Sequence, residues 1–304
     1  MNSVAVIILT FNEEIHIERA LRSIAPIARE LVIVDSYSTD RTLEICRAAG
    51  ARVVQHPFVN QAKQFQWALD NVVIESEWIM RLDADEIIEA DLAAEIADKL
   101  PSLPRDVTGI NLNRKTIFQG RWIRHGGRYP LILLRMWRKG KARVEDRWMD
   151  EHILLTEGRA VTLKGGFADD NLNDLKYFTA KHNAYAQREA VEILMQRYEL
   201  GRVGQSVGEQ LSSRQASRKR AIKNFANRIP FEITSLVYFM LRCVAQLGFL
   251  DGREGLTYHV LQGFWYRYLV GARTVELDRK ISKCNDKIAR RTLLSELTGL
   301  DLDN

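Results

Sequence analysis

Cysteine is scarce in this 304-residue chain: Cys46, Cys243 and Cys284 are odd in number, far apart and without a CxxC spacing. That set excludes a disulfide framework and a cysteine metal site, and it fits a reducing cytosol. Long uninterrupted apolar runs are also lacking. The N-terminus runs straight into VAVIILTFNEE, with no basic leader and no small-residue cleavage site. This run is far too short to cross a bilayer, so it reads as a strand. What is present is ordinary for a globular protein: 46% hydrophobic residues and a formal net charge of +5. Disorder is excluded as the default, while the positive balance suits nucleotides, nucleic acid or acidic lipid without choosing among them.

The first ninety residues alternate two periods. VAVIIL (Val4 to Leu9), LVIV (Leu31 to Val34), RVV (Arg52 to Val54) and WIMRL (Trp78 to Leu82) are short β-branched or apolar runs, as in strands buried on both faces of a parallel sheet. Helical segments lie between them: Ile17, Leu21 and Ile24 at i, i+4 and i+7, then Leu43 with Ile45 to Ala49, then Ala62 to Leu69. The order β-α-β-α-β-α-β predicts right-handed crossovers and an open α/β sheet.

Ligands in such sheets bind beyond the carboxyl ends of the strands. Three polar clusters fall there: TFNEE (Thr10 to Glu14), DSYSTD (Asp35 to Asp40) and DADE (Asp83 to Glu86). Asn12, Ser38, Thr39 and Asp40 have the chemistry of helix caps. Asp35 precedes the capping group, and Asp91 is better placed than Asp83 or Asp85 to cap the helix that follows. If the chain stays extended, Asp83 and Asp85 point the same way and converge on one hard cation, with Ala84 leaving room for a ligand. Mg²⁺ or Mn²⁺ held by one or two carboxylates, with substrate phosphates completing the shell, is the expected arrangement, and it would relieve the repulsion.

TFNEE, IVDSYSTDRT, the HPF...KQFQWAL segment and LDADE, in this order and spacing, resemble the nucleotide-sugar-binding half of family 2 glycosyltransferases with a GT-A fold. Within that family they are most similar to bacterial enzymes that extend lipopolysaccharide core or other surface polysaccharide. The likeness is dense from Val4 to Ala90 and looser from Gly109 to Tyr185. It implies an α/β fold, a Rossmann-like mixed sheet flanked by helices, with a C-terminal helical region. It also implies that Thr10, Phe11, Asn12 and Glu13 line the nucleoside pocket, that Asp35 accepts a hydrogen bond from a base such as uracil, that Asp83 and Ala84 lie near the ribose and diphosphate, and that Asp85 binds the metal. Many relatives carry Lys or Arg where this chain has Phe65. Lys63 is kept as a donor-site candidate, although i and i+2 do not share a helical face.

The middle of the chain has to supply the acceptor side. VTGINLNRKTIF (Val107 to Phe118), LILLRMWR (Leu131 to Arg138) and HILL (His152 to Leu155) read as antiparallel or edge strands, joined by the Gly-rich connection GRWIRHGGRYP. Arg124, His125 and Arg128 in that connection read as solvated surface. Sugar transfer to a hydroxyl needs a general base, and DRWMDEHI offers Asp150 and Glu151. The resemblance sets Glu151 on the better-matching position, with His152 as a further candidate for metal or diphosphate. It implies inversion by a single in-line displacement, with no covalent intermediate on Ser or Cys.

The last third differs in kind. FADDNLNDLKYFTAKHNAYAQREAVEIL suggests two helical stretches, and SSRQASRKRAIKNFANRIP (Ser212 to Pro230) has several cations and no acid. FEITSLVYFMLRCVAQLGFL (Phe231 to Leu250) is apolar but interrupted by Glu232 and Arg242, and LTYHVLQGFWYRYLV adds aromatics. A central Arg argues against a spanning helix, and an interfacial helix pair on an anionic inner leaflet fits better. A helical subdomain or dimer partner stays open. The expected organisation is a catalytic domain over 1–225, split into a nucleotide-sugar half (1–100) and an acceptor half with helices (101–225), then a helical region over 226–304. The expected partners are a nucleotide-sugar donor, a glycan or lipid-linked acceptor and the cytoplasmic face of the inner membrane, with homo-oligomerisation open and no nucleic acid. Two rivals fit less well. A nucleic-acid-binding protein leaves the carboxylates unexplained, and a sugar-phosphate nucleotidyltransferase would carry a Gly-rich basic loop where this chain has acidic TFNEE.

Overall fold

The computed structural model describes residues 3–145, 152–201 and 229–302. It forms two compact units, Met1–Leu172 and Asn173–Asn304. The domain boundary expected at 225/226 lies outside the described residues.

In the first unit, β1 (Val4–Thr10), β2 (Ala28–Asp35), β3 (Arg52–Gln55) and β4 (Trp78–Asp83) are the four apolar runs, each extended by a residue or a few. They lie parallel in the order β3-β2-β1-β4. Successive side chains of a strand point to opposite faces, and β1 has apolar residues on both. Val4, Val6 and Ile8 join one core cluster, with Ile17, Leu21 and Ile24 of α1 (Ile17–Ile24). Ala5 and Ile7 join the other, with Ala62, Phe65 and Ala68 of α3 (Gln61–Asn71). Helices therefore cover both faces, with α2 (Thr42–Ala48) and α4 (Ala90–Lys99) contributing Cys46 and Leu92 to the α1 side.

Beyond β4 the sheet continues with β8 (Leu131–Arg138), β6 (Val107–Phe118), β11 (Arg159–Asp170) and β5 (Glu86–Ile88), with β7 (Arg121–Ile123) folded back on β6. β8 is antiparallel to both β4 and β6, so the sheet is mixed. A separate hairpin pairs β9 (Ala142–Val144) with β10 (Ile153–Leu155). The strands β5, β7, β9 and β11 were not legible in the sequence. The stretch expected to form two helices instead begins as strand β11, with Asp169 opposite Glu86, and continues as the single helix α5 (Leu175–Tyr198).

The described residues of the second unit are helical: α5, α6 (Phe231–Met240), α7 (Gly252–Tyr258), α8 (Tyr266–Ile281) and α9 (Lys287–Thr298). Asp174 caps α5 by accepting from the Tyr177 N–H at 2.8 Å, and Asp286 caps α9 through the Ala289 N–H at 2.7 Å. Ala190, Leu194, Leu277, Ile281 and Leu294 form its core. Among the described residues no single helix is long and apolar enough to cross a membrane.

Candidate active site

The sheet register sets the sequence-predicted residues side by side. Thr10 lies opposite Asp35 on β1 and β2, and Leu9 lies opposite Asp83 on β1 and β4. The three clusters thus meet at the carboxyl edge of the parallel strands, where β1 is flanked on both sides. The Thr10 hydroxyl donates to Asp35 Oδ1 at 3.0 Å, the Ser38 N–H to Oδ2 at 2.9 Å and Gln55 Nε2 to Oδ2 at 3.1 Å. The Ser38 hydroxyl also binds Oδ1. Asp35 is wholly buried, so these donors fix its orientation.

Ser38 and Thr39 are not the helix caps their chemistry suggested. Asn12 adopts a left-handed backbone with φ of 55°, a conformation Asn tolerates better than most residues. Its Oδ1 accepts from the Thr39 N–H at 2.8 Å, while its N–H donates to the Ser38 hydroxyl at 2.9 Å. Asp40 does hold the start of α2, accepting from the Thr42 N–H at 3.0 Å, and it also takes the Glu14 N–H at 3.1 Å. The loops after β1 and β2 are thereby tied into one unit that leaves Phe11 and Tyr37 outward, 58% and 53% exposed. Tyr37 carried no signal in the sequence beyond its place in the cluster. Glu13 is braced by buried His16, whose Nδ1 lies 2.6 Å from its carboxylate.

The crowding of DADE is resolved by two buried arginines that no sequence motif marked. Arg81 Nε lies 3.3 Å from Asp83 Oδ1, and Arg135, reaching over from β8, binds Asp83 Oδ2 at 3.4 Å and Glu86 Oε1 at 2.6 Å. Glu86 Oε2 also accepts the Asp83 N–H at 2.9 Å. Burial pushes the Asp83 carboxyl up, but the Arg81 and Arg135 guanidiniums beside it overcome this and hold it well below the usual carboxylate range. For Glu86 the balance goes the other way. Burial raises its pKa, neighbouring Asp83 adds to the rise, and the contact with Arg135 offsets only part of it. Arg81 also lies over the Phe65 ring, 5.5 Å from the centroid. Phe65 itself is a core residue with no exposure, and the cations close to Asp83 come from β4 and β8.

The chain does not stay extended through this segment. It turns at Ala84 and Asp85, and the two aspartates have separate partners: Asp85 Oδ2 accepts from Asn171 Nδ2 at 2.9 Å. Among the described residues no group of three His, Cys, Asp or Glu side chains is gathered to hold a metal. The set Asp83, Asp85 and His152 is thus not assembled by the protein alone, because Asp83 is taken up by arginines and His152 Nδ1 faces buried Glu145 at 3.3 Å. Asp85 still suits a hard cation that draws most of its oxygen ligands from substrate phosphates.

Asp150 and Glu151 lie outside the described residues. On either side of those residues, the Glu145 N–H donates to the His152 carbonyl at 2.8 Å and extends the pairing of β9 with β10. Glu145 was also missed in the sequence. In the connection after β6, Arg124 is exposed, as expected, with its guanidinium 5.2 Å from the Trp122 ring centroid, whereas His125 and Arg128 are half-buried. Lys63 lies in the first turn of α3, its N–H donating to the cap Asn60 at 2.8 Å.

The model of glycosyl transferase family 2 matches residues 5–160, more than half of the chain; this takes in β2, β4 and β8 and all of β1 but Val4, while β11 lies beyond it except for Arg159 and Ala160. The chain belongs to glycosyl transferase family 2, a family of glycosyltransferase enzymes. Its mixed sheet with flanking helices is the GT-A fold. It is similar to an uncharacterized glycosyltransferase of Rickettsia bellii, with 39% identity over 93 residues, covering 31% of each chain. It is also similar to one of Rickettsia typhi, with 35% identity over 96 residues, covering 32% of each. These alignments span about a third of the curated relatives' length. Among solved structures, glucosyl-3-phosphoglycerate synthase from Mycobacterium tuberculosis, in complex with Mn²⁺, uridine diphosphate and glucosyl-3-phosphoglycerate, matches at 23% identity with a TM-score of 0.31, over 39% of this chain and 45% of that one.

Proposed function

We propose that the protein is an inverting, metal-dependent glycosyltransferase that moves a sugar from a nucleotide-sugar, a UDP-sugar by preference, to a hydroxyl of a glycan or lipid-linked acceptor in bacterial surface-polysaccharide or lipopolysaccharide synthesis. The observation that carries this is the register of Thr10 with Asp35 and of Leu9 with Asp83 at the carboxyl edge of parallel strands, the place where such sheets take nucleotides. Asp35, held by four donors, offers a fixed acceptor to a base N–H, and exposed Phe11 and Tyr37 offer apolar surface to its ring. Asn12 and Glu13 shape the pocket rim, Asp83 and Ala84 face the ribose and diphosphate, and Lys63 adds a cation on α3.

Asp85 would hold Mn²⁺ or Mg²⁺, which when bound supplies charge compensation to the departing diphosphate. Arg81 and Arg135 neutralise Asp83 and Glu86 independently of it, so the loop is not left with three uncompensated carboxylates. Glu151, or Asp150 beside it, takes the acceptor proton. The protein works as a peripheral protein on the cytoplasmic face of the inner membrane, supported by the aromatic blocks of the second unit and by the cations of Ser212 to Pro230 in the sequence.

Calorimetric titration of UDP and UDP-sugars, with and without Mn²⁺, tests the donor site. Metal-dependent binding that weakens by about tenfold or more in Asp85→Asn is expected. Absence of nucleotide binding under every condition overturns the proposal.

A further inference from the structure

The second unit contains a helical hairpin whose polarity is reversed. Its first arm, Phe231–Ala245, is followed within three residues by a second helical run, Gly248–Ile281, bent 69° from it. On the first arm Ile233, Val237, Met240 and Val244, at helical spacing, are 48 to 60% exposed. The apolar surface continues over the turn through Leu247, Phe249 and Leu250, each 46 to 50% exposed. Four polar residues point inward instead: Ser235, Arg242, Asp251 and His259 are all under 5% exposed, while uncharged Gln246 at the turn and Glu232 at the start of the first arm are exposed. Arg242 is held by the Tyr238 hydroxyl at 2.9 Å. Of the twenty residues from Ile233 to Gly252 only Arg242 and Asp251 are charged, and both are buried. An amphipathic helix in water has the opposite arrangement.

Two further features fit a hydrocarbon surrounding. Backbone polar groups at a break in lipid must be satisfied internally, and here the Gln246 N–H donates to Leu241 O at 2.9 Å, Leu247 N–H to Val244 O at 3.1 Å and Leu250 N–H to Leu247 O at 3.0 Å. Small residues allow close packing of helices in membranes. A Cβ on Gly248 would meet His259 Nε2 at 2.5 Å, and one on Gly271 would meet Phe231 Cγ at 2.3 Å.

We infer that Phe231–Ala245 and the start of Gly248–Ile281 form a re-entrant hairpin whose turn dips into the acyl region of one leaflet, a deeper seat than that of an interfacial helix pair. The inference rests on the membrane-surface part of the proposed function and specifies its depth. The first arm has fifteen residues, about 22 Å of helix. It is too short to cross a hydrocarbon core of about 30 Å. Lipid rather than a second copy is the occupant because the apolar surface wraps round the turn, where a two-fold contact would cover one face. Exposed Arg253 and Arg267 on the second run supply cations for anionic headgroups.

The full chain is tested with vesicles of phosphatidylethanolamine and phosphatidylglycerol. Flotation in 1 M NaCl is expected to retain the protein, and Phe249→Trp is expected to be quenched more strongly by lipids brominated deep in the acyl chain than near the headgroup. Phe249→Asp with Leu250→Asp should lower partitioning by about tenfold or more, with circular dichroism confirming that the helices persist. Release at 1 M NaCl with no depth-dependent quenching would mean surface electrostatics only and overturn the inference. So would a lipid-free dimer, seen by light scattering, that the double variant dissociates. UDP calorimetry on the same preparations reports the donor site separately, so its failure and failure of the hairpin are distinguishable.

Discussion

The sheet edge of the first unit and the hairpin of the second both bury charged side chains, yet they turn opposite faces outward. At the sheet edge Arg81, Arg135, Asp83 and Glu86 neutralise one another beneath loops that stay polar. In the hairpin Arg242 and Asp251 are withdrawn while leucines, valines and phenylalanine remain outside. Burying a charge is costly wherever it happens unless the charge is paired. At the sheet edge the pairing keeps an acidic loop in place before any ligand arrives. In the hairpin the withdrawal of Arg242 and Asp251 leaves the outer surface from Ile233 to Gly252 without charge, which suits a surrounding other than water.

The largest effect that would sharpen this contrast is catalytic. Glu151→Gln is expected to lower sugar transfer by about 10²- to 10⁴-fold with UDP affinity unchanged, measured by product release and calorimetry. An equal loss in Asp150→Asn with Glu151→Gln nearly active would move the base by one residue.

Next in size is the arginine pair. Arg135→Met strips Glu86 and Asp83 of a shared partner, and loss of one member of a buried pair costs about 3–5 kcal/mol. Chemical denaturation should show that loss, and the double variant Arg135→Met, Glu86→Gln should recover most of it. A single variant as stable as the parent would break the claim that arginines, rather than a bound cation, hold this loop together.

The smallest effect is a pH dependence confined to the second unit. Burial lowers the pKa of His182, which stacks on Phe178 at 3.9 Å and meets Tyr266 at 5.5 Å, with the Lys181 charge acting in the same direction. A lowered folded-state value means the unfolded chain takes up the proton first as pH falls. Its contribution is therefore present above the unfolded value near 6.5 and lost as pH falls through the folded one. Thermal melts from pH 7.5 to 5 should show a decline that His182→Gln flattens.

Much of the fold was legible because burial on both faces leaves short apolar runs, and such a run forms the centre of each of β1 to β4. The site was legible in part. Thr10, Asp35, Asp83 and Asp85 stand at strand ends in the sequence, and the register sets Thr10 beside Asp35 and Leu9 beside Asp83. Arg81 and Arg135 were invisible because an arginine inside an apolar run looks like an interruption until its partner is known. That partner is 49 residues away for Arg135 and Glu86. β11 was hidden for a similar reason: Asp169 and Asp170 look like loop residues, but Asp169 pairs with Glu86 and Arg19 binds Asp170 at 2.7 Å.

The sequence by itself determined the alternation of strand and helix, the polar strand ends and the family, since these rest on local period and on motif order. Only the tertiary structure decided which charges neutralise one another, that the DADE segment turns instead of running on, and that the apolar residues of the second unit face outward. Each of those depends at least in part on contacts between residues far apart in the chain, as for Arg135 with Glu86 and Asp85 with Asn171, and a local pattern of polar and apolar residues does not specify which side of it meets water.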